Sequence, residues 1–270
     1  MLETGLVLKK MEGHRDKVHA LAVSQDGQMI ASGDWGGELI AWRGETGELL
    51  TQPIKAHSDR ITLVDFSPDG MVLATGSNDG MMKFWCTKAW QMQGEPIKCG
   101  YVFCIRYSPS GELLAIATTD NIQIYNPGTM KRVASFKGHT KRNLSLAWTP
   151  DGTHLLSGGD DEEPTIREWD SSTWQQVGLP WKGHTDDICA IVIHPDGMLA
   201  ASASFEDSVH LWRLSDQQTI AIFQPSFALG CVTFSFEGKH ILSGGHDDKI
   251  SEWEIPKGIH PKASFHPSLS

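Results

Sequence analysis

Residues Ala56–Trp85 read AHSDRITLVDFSPDGMVLATGSNDGMMKFW. A His and a short polar loop lead into an apolar run, Ile61 to Phe66, which stops at Ser67-Pro68-Asp69-Gly70. A second run, Met71 to Thr75, stops at Ser77-Asn78-Asp79-Gly80, and a third ends on Trp85. Apolar runs of this length, punctuated by Pro-Asp-Gly and Asn-Asp-Gly, are hairpin signals. The stretch predicts three antiparallel strands in a meander, with Gln91 to Lys98 as a fourth.

The unit recurs through the chain. Its closing aromatic stands at Trp42, Trp85, Tyr125, Trp169, Trp212 and Trp253, at intervals of 43, 40, 44, 43 and 41 residues. The first turn recurs as SQDG, SPDG, SPSG, TPDG, HPDG and SFEG. A fixed period of about 40–45 residues marks the blades of a propeller. These residues resemble the WD40-repeat family over nearly the whole chain, although the literal Trp-Asp pair occurs once, at Trp169-Asp170. The resemblance implies an all-β fold, a six-bladed WD40-type β-propeller with four antiparallel strands per blade.

Composition narrows the function. The 270 residues carry 23 basic and 33 acidic side chains, a net charge of −10. That balance disfavours generic nucleic-acid binding, which needs a basic field to displace counterions, and adhesion to an anionic membrane. No apolar run approaches the length of a membrane span of about 18 residues, and the N-terminal MLETGLVLKK lacks the pattern of a signal peptide. The five Cys include no CxxC pair, so a reduced, cytoplasmic setting is expected, with the nucleus also open.

The chain is expected to form one domain, residues 1–255, with an irregular tail at 256–270. The last repeat shows no convincing fourth strand, whereas Leu6–Met11 has the character of one with no blade before it. The expected solution is circular: Leu6–Met11 supplies the outer strand of the last blade, which hides an edge that would otherwise invite aggregation.

The resemblance also implies a hydrogen-bonded set in each blade: a His before the first strand, a Ser or Thr in the second, an Asp in the second turn and the closing Trp. Such a relay rigidifies a fold only if every member is satisfied. The matching residues are His57, Thr75, Asp79 and Trp85 in blade two, and His139, Ser157, Asp161 and Trp169 in blade four. Blade five has His184, Ser202 and Trp212, with Glu206 at the Asp position. Blade one has His14, Ser32 and Trp42 but Gly36 at the Asp position, so His14 is expected to be less restrained. Blade six has Pro225 in place of the His, and blade three has Lys98 for the His and Tyr125 for the Trp. Because these sets repeat with the fold period, they read as structural rather than as catalytic triads. The His residues, some forty residues apart, are not at metal-ligand spacing. No catalytic, cofactor-binding or metal-binding residue is assigned, and no cofactor is expected.

Function is then expected where exposed positions differ between repeats. The family points to the blade end that carries the loops before the first strands and the second turns. The candidate partner-binding residues there are Arg15, Lys17 and Trp35 in blade one, Arg60 and Asn78 in blade two, and Tyr101 in blade three. Arg142 and Asp160 follow in blade four, Asp187 and Phe205 in blade five, and Phe227 and His246 in blade six. Aromatic and Arg side chains dominate interface hot spots. The expected protein is a monomeric, non-catalytic interaction scaffold that holds a peptide or partner loop with acidic residues. The alternatives are a ligand-sensing domain of a larger multidomain receptor and, third, a propeller enzyme with a site in its central channel.

Overall fold

The computed structural model describes residues 10–160, 162, 164–225, 229–235, 237–245 and 249–256. Blade one comprises β1 (Val18–Val23), β2 (Met29–Asp34), β3 (Glu38–Arg43) and β4 (Ile54–Lys55). Blade two comprises β5 (Ile61–Phe66), β6 (Val72–Ser77), β7 (Met81–Cys86) and β8 (Gln91–Lys98). Blade three has β9 (Val102–Tyr107), β10 (Leu114–Thr118), β11 (Ile122–Asn126) and β12 (Lys131–Phe136). Blade four has β13 (Asn143–Trp148), β14 (His154–Gly159), β15 (Thr165–Asp170) and β16 (Trp181–Lys182). Blade five has β17 (Ile188–Ile193), β18 (Leu199–Ser204), β19 (Ser208–Arg213) and β20 (Thr219–Phe223). Blade six has β21 (Leu229–Phe234), β22 (His240–Gly245) and β23 (Ile250–Glu254). Each blade is an antiparallel meander in chain order, and the six are arranged as a β-propeller. The expected closing strand Leu6–Met11 falls, apart from Lys10 and Met11, outside the described residues, as does the tail beyond Pro256.

Local chemistry sets the first turn. In blade two, Ser67 Oγ donates to Asp69 Oδ1 (2.6 Å) and accepts from the Val72 amide (2.9 Å). Gly70 takes φ 70°, a conformation that side chains disfavour. A feature the sequence did not announce is a register shift near the start of the first strand in every blade, as between Ile61 and Leu63. Such bulges increase twist and re-aim side chains.

The core lies between blades rather than within one. Small residues on the second strand let the next blade approach: a Cβ on Gly33 would lie 2.5 Å from Ile61 Cγ2, and one on Gly76 2.5 Å from Val102 Cγ1. The same holds at Gly158, where it would lie 2.6 Å from Ile188 Cγ2. Ile61, Val102 and Ile188 are fully buried by this packing.

Candidate functional site

The expected polar relays form. In blade two, Trp85 Nε1 donates to Thr75 Oγ1 (3.0 Å), which bonds His57 Nε2 (2.8 Å), and His57 Nδ1 meets Asp79 Oδ2 (2.9 Å). Asp79 also accepts the amides of Ser58 (3.1 Å) and Met81 (2.9 Å). Burial alone would raise the Asp79 pKa, but His57 and these amides outweigh it and the net shift is downward. In blade four, Ser157 Oγ bonds His139 Nε2 (2.9 Å) and accepts from Trp169 Nε1 (2.9 Å), while Asp161 lies outside the described residues.

Two expectations about these sets change. Blade one does have its acid: Asp34, two residues before Gly36, reaches His14 Nδ1 (2.9 Å) and accepts the Glu38 amide (2.8 Å). A carboxylate at the end of β2 covers the same imidazole, so His14 is restrained after all. In blade three, Lys98 does not stand at the His position, because it pairs with Met81 as Lys55 pairs with Glu38. That register places Cys99 and Gly100 where blade two has Ala56 and His57. Tyr125 Oη instead donates to Gln123 Oε1 (2.8 Å), whose amide donates to Cys99 O (2.9 Å).

The candidate residues are paired by backbone hydrogen bonds at matching places in four blades. The Trp35 amide donates to Lys17 O (3.0 Å), Asn78 to Arg60 O (3.1 Å), Asp160 to Arg142 O (2.9 Å) and Phe205 to Asp187 O (3.1 Å). The candidate pairs therefore sit side by side at the same end of blades one, two, four and five. Phe227 and His246 lie outside the described residues.

These residues do not make one uniform surface. Trp35 is 48% exposed, with Arg60 Cζ 4.9 Å and Lys17 Nζ 5.5 Å from its ring centroid. His19 meets the same ring edge-on at 6.4 Å, and burial together with Arg60 holds its pKa below the usual imidazole value. Among the described residues, Lys17 and Arg60, the two cations at this ring, form no ion pair. Arg142 differs: it bonds Asp160 Oδ2 through Nε (3.1 Å) and Nη2 (2.9 Å) and reaches Asp187 (3.4 Å). Asp160 is buried and also meets Lys141 (3.2 Å). Burial, with Asp160 next to it, pushes Asp187 up to about 6. Exposed Tyr101 lines, with the candidate Asn78, a cavity of about 670 Å³ that also carries Asp59, Asp79 and Asp120.

Two polar groupings go beyond the sequence reading, which named His184 and Glu206 but not His210, Asp65 or Arg106. Asp65 and Arg106 line a channel cavity of about 710 Å³ at the first-turn end, with Tyr107 and Trp148. Asp65 Oδ2 accepts the Tyr107 amide (2.8 Å), and burial pushes its pKa up to about 6 against the pull of Arg106. Arg106 Nη1 donates to Ile105 O (2.9 Å). The pair is engaged with backbone. The second grouping is His184, Glu206 and His210, whose ligand atoms lie within 4.8 Å of one another. Its imidazoles stack at 3.9 Å, 26° from parallel. A cation about 2.0–2.2 Å from both nitrogens should lie near both ring planes, which stacked rings do not permit. The set is better described as an acid with two neutral rings: burial and then His184 lower His210 to about 4.

The family described as "WD domain, G-beta repeat" matches residues 5–43, 47–86, 130–170, 175–213 and 218–254. The chain is 32% identical over 270 residues to the small ribosomal subunit protein RACK1y of Oryza sativa subsp. japonica, covering 94% of this chain and 79% of that protein. It is 31% identical over 128 residues to THO complex subunit 3 of Arabidopsis thaliana, covering 45% of this chain and 39% of that protein. It is 27% identical over 164 residues to Polycomb protein EED of Chaetomium thermophilum, covering 53% and 28%. The chain thus spans well under half the length of the last two relatives.

Proposed function

Because this chain belongs to the WD-domain, G-beta-repeat family, we propose that it is a non-catalytic scaffold that captures a protein segment rich in acidic and apolar residues. The segment engages the corner shared by blades one and two. The observation that carries this reading is the exposed Trp35 ring flanked by Arg60 and Lys17. A cation over a Trp face contributes about 0.5–1 kcal/mol at an exposed site. Here it also holds the ring in place for a partner. Two of the relatives are by name components of assemblies, a THO complex subunit and a small ribosomal subunit protein, which accords with a role in assembly. The remaining candidates take secondary parts: Phe205 adds apolar area, and Arg142 orders Asp160 and Asp187 rather than binding an anion.

The test is an affinity capture from source extract with the parent chain, Trp35→Ala and Arg60→Glu. Proteins retained by the parent should be lost from both variants and should elute from the parent as salt is raised. Retention of the same proteins by both variants would refute the reading. The alternative of a ligand-sensing domain rests on the channel cavity around Asp65 and Arg106, and it predicts capture that depends on Arg106 rather than on Trp35.

A further inference from the structure

At the first-turn end of the channel the first strands hold one ring of side chains. By register, Ala22, Asp65, Arg106, Ala147, Val192 and Thr233 occupy the same place on their blades. Asp65 and Arg106, on neighbouring blades, are the charged members of a ring that is otherwise small and uncharged. Opposite charges placed this way ordinarily neutralise each other, because a buried charge without a partner is costly. Here they do not. Among the described residues neither forms an ion pair, although Arg106 is near enough to pull the Asp65 pKa down against burial. Each side chain makes one hydrogen bond to backbone there: Asp65 Oδ2 accepts the Tyr107 amide (2.8 Å), and Arg106 Nη1 donates to Ile105 O (2.9 Å). A carboxylate has a second oxygen, and a guanidinium has further N–H donors. The unused Asp65 Oδ1, Arg106 Nε and Arg106 Nη2 are not sealed among packed atoms. They open onto the cavity of about 710 Å³ that both residues line with Phe66, Trp148, Ile193 and Phe234.

We infer that this cavity is a binding site for a free α-amino acid with an apolar side chain, held as the zwitterion. Its size falls in the range of small-molecule pockets, about 300–1,000 Å³. Charge excludes the simpler ligands. A plain anion meets Asp65, a plain cation meets Arg106, and a neutral molecule covers both charges while compensating neither. A zwitterion answers both. Its carboxylate takes the free Arg106 donors, a charge-assisted pairing that a guanidinium makes well, and its ammonium donates to Asp65 Oδ1. The ligand's side chain then lies against the apolar lining and leaves water. The end of a peptide carries one of these charges without the other, so the ring selects the free amino acid. The site lies at the opposite end of the blades from the corner that holds Trp35, and it stands or falls independently of that corner.

Three probes test the inference by calorimetric titration into the full chain at neutral pH. They are L-phenylalanine, phenethylamine, which lacks the carboxylate, and hydrocinnamate, which lacks the ammonium. Phenylalanine should bind saturably at one site per chain, at least tenfold more tightly than either analogue. Arg106→Met should weaken phenylalanine at least tenfold and abolish its advantage over phenethylamine. Asp65→Asn, which keeps an acceptor for the Tyr107 amide, should abolish its advantage over hydrocinnamate. The analogue series on the parent decides even where a variant fails to fold. The inference is overturned if phenylalanine at millimolar concentration does not bind the parent, or if either analogue binds the parent as tightly. It is also overturned if both variants, with the circular dichroism of the parent, keep the parent's preference or weaken all three probes alike.

Discussion

Asp34 shows how a single carboxylate can fill a place that another residue vacates. It ends β2, yet its oxygens reach both the His14 imidazole, which an acid at the Gly36 position would serve, and the amide of the turn. Removing it leaves a buried His and an amide without an acceptor, a loss of about 1–3 kcal/mol. Asp34→Ala should therefore lower the unfolding midpoint about as much as Asp79→Ala, as thermal melts would show. Gly36→Ala, at the position where the repeat pattern puts the acid, should cost little by comparison. A second residue-scale effect concerns acid. His210 titrates at about 4 in the folded chain, below its unfolded value of about 6.5. The unfolded state therefore takes up the proton first, and stability from this group is present above pH 6.5 and lost as pH falls toward 4. His210→Gln should lose less stability than the parent between pH 6.5 and 4.5 in denaturant titrations. Equal losses would show that His210 is not held neutral.

At the scale of the strand, blade six is the exception: its sheet has three strands among the described residues, where the other five sheets have four. The repeats matched at 47–86, 130–170, 175–213 and 218–254 each begin with the outer strand of the preceding blade, namely β4, β12, β16 and β20. The match at 5–43 places Leu6–Met11 in the corresponding position. Deleting residues 1–12 should then expose the edge of β23 and produce association that grows with concentration, measurable by light scattering. A deletion variant that stays monomeric at an unchanged melting temperature would argue against that pairing.

Across the whole molecule, charge is what distinguishes the proposed binding corner. A chain of net charge −10 sets Lys17 and Arg60 over one exposed indole. An acidic partner would be steered there and then held by apolar burial. Stopped-flow association should slow as salt rises, whereas Trp35→Ala should act mainly on the dissociation rate. A dissociation rate indifferent to Trp35 would assign the ring to the scaffold.

The sequence by itself determined the blades. Turn chemistry and strand periodicity are local, and a period of 40–44 residues repeats the same local instructions until the architecture follows. It also aligned the candidate pairs, because residues at matching places in a repeat, such as Lys17 with Trp35 and Arg60 with Asn78, fall at the same end of their blades. Only the tertiary structure decided what those residues do there. Whether Arg142 is an anion site or a strut depends on Asp187, 45 residues away on the next blade. Whether Gly36 leaves His14 without an acid depends on how far the Asp34 side chain reaches. Leu21 on β1 and Ile250 on β23 are exposed, whereas Val64 and Leu39 at matching places are buried; that difference depends on the spacing of whole blades, which no repeat encodes.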